Sequence, residues 1–260
     1  MTGVGRKLKR GVTSFITDTL GYNVLPGGPI FGRRIEKQKR LGYNRRHDWK
    51  RLMAQEPAPT IFDVGANVGQ SALEFAALFP GSRVFSFEPD PVVFQELKRN
   101  TDDNSRILTV NAAVGAESGR ANLFVNELRV TNSLLDTSSE AGRFVEADWL
   151  KHKEVVSVDL ITLDSFCVEK KIETIHLLKI DAQGYELRIL EGARRLIGDK
   201  SIPLIYLEVN FVPLYKDQPL FHQIYEYFRG YDYKLAGLYG AVSNQNYLVS
   251  SDALFVLDLA

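Results

Sequence analysis

The segment TIFDVGANVGQSALEFAALFP, residues 60–80, predicts an apolar strand, a glycine-containing turn and a helix. The predicted strand closes on a carboxylate, Asp63, and the turn places Gly65 and Gly69 on either side of Asn67. A buried core does not need an acid at this position, and a plain turn does not need this glycine spacing. Because ligands of open α/β sheets bind outside the carboxyl ends of the strands, the segment predicts a binding site at this junction.

The rest of the chain continues the alternation of apolar strands and amphipathic helices. The further predicted strands are SRVFSFEP, RILTVNAAVG, GRANLFV, EVVSVDLITL, ETIHLLKIDAQG, IPLIYLEVN, YDYKLAGL and DALFVLDL. The predicted helices include DPVVFQELKRN, with Pro91 in its first turn, and YELRILEGARRLIG, which we expect to end at Gly198 as its cap. Residues 126–153 support no firm assignment. This order predicts an α/β fold with a doubly wound, mostly parallel sheet and helices on both faces.

The first fifth of the chain differs from the rest in charge. Residues 55–260 are predicted to form one domain, and residues 1–54 a basic N-terminal extension with a helical segment, whose apolar residues recur at helical spacing: Leu8, Val12, Phe15, Ile16 and Leu20. Residues 1–51 hold 13 Lys and Arg against 3 Asp and Glu, a formal net charge of +10, and the remainder carries −10. We expect the extension to dock on the acidic body or to be solvated; contact with an anionic membrane surface or nucleic acid is the alternative.

Cysteine and hydropathy usage indicate a cytoplasmic protein. Cys167 is the single cysteine, so the chain forms neither an internal disulfide nor a cysteine-built zinc site. No apolar run is long enough to span a bilayer. Polar residues interrupt the segment that follows RKLKR, whereas a secretory signal needs a continuous apolar stretch. We therefore expect no export signal and a reducing compartment.

The turn after the first strand indicates which ligand is bound. A dinucleotide fingerprint would need a second glycine where Asn67 stands, and no Gly-Lys-Ser/Thr follows to form a phosphate-binding loop. Asp63 would repel a phosphate and attract a cation. Glu88 ends the next strand, where an acid accepts hydrogen bonds from ribose hydroxyls. Each acid alone could equally cap a helix, but together they favour S-adenosylmethionine, a nucleoside with an ammonium group and no phosphate.

Several segments, taken as a set, resemble a known family: FDVGANVGQSA, FEPDP, NAAVG, TNSLLD and LLKIDAQGYELRILEGA. They are similar to the FkbM-type methyltransferases, a branch of the class I S-adenosylmethionine-dependent methyltransferase fold. The resemblance covers about residues 58–258. It implies a seven-stranded sheet with an antiparallel last strand and methyl transfer to a hydroxyl oxygen of a sugar, glycan or polyketide.

The resemblance also implies a set of cofactor-binding residues. The turn would hold the methionine portion through Asp63, Gly65, Ala66, Asn67 and Gly69, with Gln70 and Ser71 beside it. The nucleoside would be held by Glu88 at the ribose, Pro89 or Asp90 beside the adenosine, and Asn111, Ala112 and Ala113 near the adenine. VNAAVG lacks the acid that many relatives of the wider fold have near the adenine, so we expect backbone groups or Asn111 to serve there.

Two carboxylates are candidate catalytic residues. A hydroxyl acceptor must lose its proton, and Asp181, at the end of the KID strand, is the first candidate for the base or for an orienting acceptor. Glu208, at the end of the next strand, is the second. Lys179 and Asp181 share one side of a strand and could instead form a structural pair. Asp181, Glu208 and Asn210 also provide oxygen ligands suited to Mg²⁺, but we favour a site without a metal.

The sequence therefore predicts an O-methyltransferase that acts on a hydroxyl of a sugar, glycan or other small natural product. One alternative is methylation of nucleic acid with the help of the basic extension, but no Asn-Pro-Pro-Tyr-like motif supports it. The other is a non-catalytic scaffold that keeps a nucleoside pocket. The intact acids and glycines of the turn argue against such decay.

Overall fold

The structure, a computed structural model, describes residues 41–258. The strands are β1 (Thr60–Val64), β2 (Arg83–Phe87), β3 (Ile107–Val110), β4 (Ala113–Val114), β5 (Gly119–Asn126), β6 (His152–Ile161), β7 (Leu177–Ile180), β8 (Leu204–Asn210), β9 (Tyr233–Ser243) and β10 (Leu248–Leu257). The helices are α1 (Arg45–Leu52), α2 (Gln70–Leu78), α3 (Pro91–Thr101), α4 (Leu163–Lys170), α5 (Glu186–Glu191), α6 (Arg194–Gly198) and α7 (Phe221–Arg229). The helix predicted between Leu8 and Leu20 lies outside the described residues.

Seven strands form the main sheet, in the spatial order β3-β2-β1-β7-β8-β10-β9. β1 is parallel to β2 and β7, β2 to β3, and β7 to β8, whereas β10 is antiparallel to both β8 and β9. The predicted α/β fold and its single antiparallel strand are therefore confirmed. The chain builds outward from β1 on one side and then from β7 on the other, so the carboxyl ends of β1 and β7 flank the switch point at which such sheets bind ligands.

A second, three-stranded sheet, in the order β4-β6-β5, stands beside the main one. The segment RILTVNAAVG, predicted as one strand, divides between the two sheets, with β3 ending at Val110 and β4 beginning at Ala113. Between them the Asn111 side chain donates to the carbonyls of Glu88 (2.8 Å) and Pro89 (3.2 Å), which fixes the bend. The stretch left unassigned, 126–153, contains three short 3₁₀ helices: Arg129–Thr131, Ala141–Arg143 and Ala147–Leu150.

The helix predicted for YELRILEGARRLIG is two helices, α5 and α6, that meet at Gly192. A Cβ atom on Gly192 would lie 1.9 Å from the carbonyl oxygen of Gly115, so the close passage of these two backbones requires glycine. The helix ends at Gly198 as predicted, but its cap is Asp199, so the expected cap at Gly198 is wrong. Gly198 is the last helical residue, and the left-handed residue that follows is Lys200, with φ 58°.

Both faces of the sheet are covered, and the N-terminal helix α1 covers part of one. Trp49 of α1 is buried, with its ring centroid 5.1 Å from that of Phe75 on α2 and 5.0 Å from that of Tyr206 on β8. The opposite face buries the aromatic residues Phe62 and Phe166, whose ring centroids are 5.8 Å apart. Residues 45–53 therefore pack on the body as part of its core. None of the helices in residues 41–258 is long and apolar enough to cross a bilayer.

We expect Trp49→Ala to lower the free energy of unfolding by about 3–5 kcal/mol, because it removes a large, fully buried ring from a packed interface. Urea unfolding followed by circular dichroism measures this change. The matched control is Trp149→Ala, since Trp149 is 43% exposed and its loss should cost less than about 1 kcal/mol. Equal stability of the Trp49 variant and the wild type would contradict the packing of α1 on the body.

Candidate active site

A cavity of about 360 Å³ opens at the carboxyl ends of β1, β2 and β7, within the size range of small-molecule sites. Most of the cofactor-binding residues predicted from the sequence line it: Gly65, Ala66, Asn67, Gln70, Ser71, Glu88, Pro89, Ala112, Ala113 and Asp181. Asp63, Gly69 and Asn111 do not belong to its lining. The structure therefore brings the two ends of the predicted nucleoside site into one crevice, with three of the predicted residues outside its lining.

The glycine turn has the backbone that its sequence suggests. Gly65, Asn67 and Gly69 all have positive φ, at 72°, 50° and 97°. A Cβ atom on Gly65 would lie 1.9 Å from the carbonyl oxygen of Asp181, so no side chain fits there. The amides of Gly65 and Ala66 both donate to the carbonyl of Phe87 at 3.0 Å, which ties the turn to the end of β2.

Glu88 forms the wall of the cavity next to this turn. Its carboxylate is buried and accepts hydrogen bonds from the backbone amides of Asn67 and Asp90, both at 2.9 Å. Burial raises the pKa of Glu88 to about 7, although the two amide donors oppose the shift. Each carboxylate oxygen has a further lone pair for a hydroxyl donor. Asn111 supports this turn from behind, through the carbonyls of Glu88 and Pro89.

Asp63 lies beneath the cavity floor, fully buried, with Lys179 as its partner. The Lys179 ammonium is 3.0 Å from Asp63 Oδ1 and 3.7 Å from Asp181 Oδ2, and it donates to the carbonyl of Gly65 at 2.8 Å. Burial disfavours the ammonium, but the two carboxylates outweigh it and raise the pKa of Lys179. Lys179 itself lines the cavity. Asp63 therefore acts on the site through Lys179, and its carboxylate is already paired.

The two candidate catalytic carboxylates meet around a residue that the sequence analysis did not single out. The Gln183 amide donates to Asp181 Oδ1 at 2.8 Å and to Glu208 Oε2 at 3.1 Å. Its oxygen accepts from the Tyr215 hydroxyl at 3.0 Å. Gln183 holds this position with a left-handed backbone, φ 52°. The sequence feature that could have identified Gln183 is its place in KIDAQG, two residues after Asp181.

The two carboxylates differ in environment. The Asp181 side chain is 46% exposed and reaches both the cavity and solvent. Burial raises the pKa of Glu208 well above its usual value, and the negative charges of Asp181, Glu186 and Asp252 add to this shift. Glu208 is therefore held preferentially in its protonated form.

Residues 129–134 cover the cavity. Asp90, predicted to flank the adenosine, instead caps α3 and accepts from Asn132 at 2.9 Å, and it forms an ion pair with Arg129. The Ser133 hydroxyl donates to the carbonyl of Gln183 at 2.7 Å. The cover is thus attached to the ends of β2 and β7 at once. Arg129, Asn132 and Ser133 were missed, and the TNSLLD segment was the signal that pointed to them.

Within residues 41–258, no group of three or more His, Cys, Asp and Glu side chains is arranged to hold a metal ion. Asn210, the third oxygen ligand considered for Mg²⁺, is a buried residue of β8 whose side-chain carbonyl has no hydrogen-bond partner in this part of the chain.

Comparison with known proteins agrees with the site. A family described as the methyltransferase FkbM domain matches residues 63–235. Three relatives are similar to this chain: the 2-O-methyltransferase NoeI of Sinorhizobium fredii (26% identity, 64% of this chain and 69% of the relative), the 31-O-demethyl-FK506 methyltransferase FkbM of Streptomyces tacrolimicus (29%, 52% and 60%) and the hexuronic acid methyltransferase AglP of Haloferax volcanii (22%, 61% and 59%). The matches thus span about three fifths of the length of the last two relatives.

We expect Lys179→Met to lower the free energy of unfolding by about 3–5 kcal/mol, because it leaves the Asp63 carboxylate buried without a counter-charge. The double variant Asp63→Asn/Lys179→Met should recover part of this loss, since no unpaired charge is left. Urea denaturation of both variants tests the pair. Arg229→Met, which breaks the exposed ion pair with Glu226, is the control and should change stability by less than about 1 kcal/mol. A Lys179 variant as stable as this control would refute the buried pair.

The raised pKa of Glu88 predicts a stability that falls as pH rises. The folded protein keeps the Glu88 proton up to about pH 7, whereas the unfolded chain releases it near the ordinary value of 4.5. The folded state is therefore favoured most below pH 4.5 and loses up to about 3 kcal/mol between there and pH 7.

Glu88→Gln removes the pH dependence that Glu88 contributes. The difference in unfolding free energy between variant and wild type should therefore change by up to about 3 kcal/mol between pH 4.5 and pH 7. Glu186 also has a pKa raised by burial to about 7, and both proteins keep its contribution. A difference that stays constant from pH 5 to pH 8 would show that Glu88 titrates normally.

Proposed function

The chain belongs to the FkbM methyltransferase family, and on this premise we propose that it transfers a methyl group from S-adenosylmethionine to a hydroxyl oxygen of a sugar or natural-product acceptor. The observation that carries the proposal is the position of Asp181. Its carboxylate stands at the open side of the nucleoside cavity and is held by Gln183 beside Glu208. An acid so placed can meet a hydroxyl group that enters from solvent.

The chain supplies the binding and alignment that the reaction needs. Glu88 would accept from the ribose hydroxyls, and the backbone around Ala112 and Ala113 would enclose the adenine. The cofactor supplies an activated methyl group on a sulfonium, so the protein mainly has to orient the acceptor for in-line attack. Asp181 would take the hydroxyl proton while the acceptor oxygen bonds to the methyl carbon and the carbon–sulfur bond breaks. Gln183 fixes the carboxylate in this task, and protonated Glu208 would donate to an acceptor oxygen.

The names of the relatives support an oxygen acceptor. One is a 2-O-methyltransferase, one methylates 31-O-demethyl-FK506 and one a hexuronic acid. We propose the same class of acceptor for this chain, without a metal, because the groups around Asp181 are the Gln183 amide, the Lys179 ammonium and a single further carboxylate.

Little in the described structure favours nucleic acid or a membrane as the partner. Most of the basic extension lies outside the described residues. In its described part, Arg45 and Arg46 both pair with Glu74 of α2, and Arg45 is 3.8 Å from Asp252. These contacts support docking of that part on the acidic body. We propose a cytoplasmic location from composition alone.

Asp181→Asn should keep the affinity for S-adenosylmethionine and lose turnover by at least about a hundredfold, because it removes the proton acceptor and keeps the shape. Calorimetry measures the binding. Transfer of labelled methyl to a panel of mono- and oligosaccharides measures turnover. Glu169→Gln, which changes an exposed acid on α4, is the control and should leave both unchanged. Unchanged turnover in the Asp181 variant would refute its role as the base, and no binding by the wild-type protein would refute the whole proposal.

A further inference from the structure

A second groove, which we call the distal groove, lies at the far end of the same carboxyl edge. It occupies about 480 Å³ between the segment 143–149 and the tip of the β9–β10 hairpin. Trp149 belongs to its lining and is 43% exposed, and Tyr247, directly beside the groove, is 52% exposed. Phe144 stands edge-on to Tyr247, with ring centroids 6.0 Å apart. Three aromatic rings thus lie in or beside one groove, and clustered exposed apolar groups are typical of a binding surface.

Half of the polar side chains that line the distal groove are amides, and the others are Arg143, Glu146 and Ser243. Asn244, Gln245 and Asn246 form the hairpin tip, and the Asn244 side-chain oxygen fixes it by accepting from the amides of Asn246 (2.9 Å) and Tyr247 (2.8 Å). The side chains of Gln245 and Asn246 make no hydrogen bond to any residue from 41 to 258. Each offers both a donor and an acceptor to a ligand.

This combination suits a saccharide. The C–H faces of a sugar ring stack on exposed aromatic rings, while free amides can donate to one hydroxyl and accept from its neighbour. The groove offers no comparable match for a phosphodiester. The single basic side chain in its lining, Arg143, already pairs with Glu140 at 2.8 Å and lies over the Phe144 ring.

The strand order sets the distance between the distal groove and Asp181. Asp181 follows β7, Glu208 lies on β8, and the groove begins at Val249 on β10, which is the next strand. Two strand spacings of about 4.8 Å separate them across the sheet, and Val249 lies three residues beyond the level of Asp181 along the strands, so the groove begins on the order of 14 Å from Asp181. The Phe211 amide donates to the Val249 carbonyl at 2.9 Å, so the end of β8 joins the two places directly. An oligosaccharide of a few units can span this distance.

We propose that the distal groove binds a saccharide unit a few residues along the same chain from the unit that is methylated, so that the acceptor is an oligosaccharide or glycan chain. The proposal rests on the proposed function for its reacting end, because it takes Asp181 as the place of methyl transfer. The binding of the unit in the groove rests on the rings and amides of the groove alone.

The two tryptophans of the chain allow a direct test. Trp49 is buried and Trp149 lies in the groove, so a ligand in the groove changes only the Trp149 emission. We would titrate the full chain with chitotetraose, maltotetraose and tetragalacturonate, and with the matching monosaccharides, up to about 10 mM, which covers weak binding. At least one tetrasaccharide should shift the emission and bind more tightly than its monosaccharide. Trp149→Phe should remove the emission change that the ligand causes, and Tyr247→Ala should weaken binding about tenfold.

Three outcomes would overturn the proposal. The first is an emission that none of the tetrasaccharides alters. The second is binding that Tyr247→Ala leaves unchanged. The third is a self-association in analytical ultracentrifugation that Tyr247→Ala abolishes, which would show that a second copy of the chain covers the rings. Calorimetry with S-adenosylmethionine on the same variants separates the two proposals, because it tests the methyl-donor cavity without an acceptor.

Discussion

The close approach of the turn after β1 to the turn after β7 is the constraint on which both halves of the site depend. The carbonyl of Asp181 fills the space that any side chain at residue 65 would need, and the amide of Asp181 donates to the Val64 carbonyl at 3.0 Å. Lys179 closes the same junction by donating to the Gly65 carbonyl. Because Asp181 also carries the exposed carboxylate, the proposed donor cavity and the proposed acceptor side share one piece of backbone, and a shift of either turn moves both.

This junction is built with charges where a core would be more stable without them. Asp63 and Lys179 are buried as a pair, and Glu88 and Glu186 are buried carboxyl groups that accept from the amides of neighbouring turns. Apolar residues of similar volume are often as stable as a buried ion pair or more so. The charged groups contribute a fixed geometry, because one ammonium and two carboxylates hold the carbonyls and amides of three turns in place. The protein thus gives up some stability for a rigid rim around the cavity.

The sequence predicted the donor half of the site far better than the acceptor half, for a physical reason. The donor half is local: a strand, a turn with positive φ at Gly65 and Gly69, and a helix are consecutive, so spacing alone indicates them. Asp63 shows the limit of this reasoning, because its pairing with Lys179 depends on the parallel register of β1 and β7. The acceptor half joins residues far apart in the chain, such as Ser133, Gln183 and Tyr215, through single hydrogen bonds. No periodicity in the sequence predicts such contacts.

The charges around Asp181 favour the direction of proton movement in the proposed reaction. The Gln183 amide and the Lys179 ammonium lie 2.8 Å and 3.7 Å from the Asp181 carboxylate, while burial favours the neutral form of Glu208. One negative charge then faces a cationic methyl donor, and proton uptake by Asp181 would neutralise it as the donor loses its own charge. A site of low dielectric constant destabilises separated charges. It therefore favours a step in which two opposite charges are both lost. The cover formed by residues 129–134, which closes one side of the cavity, would therefore contribute to the chemistry as well as to binding.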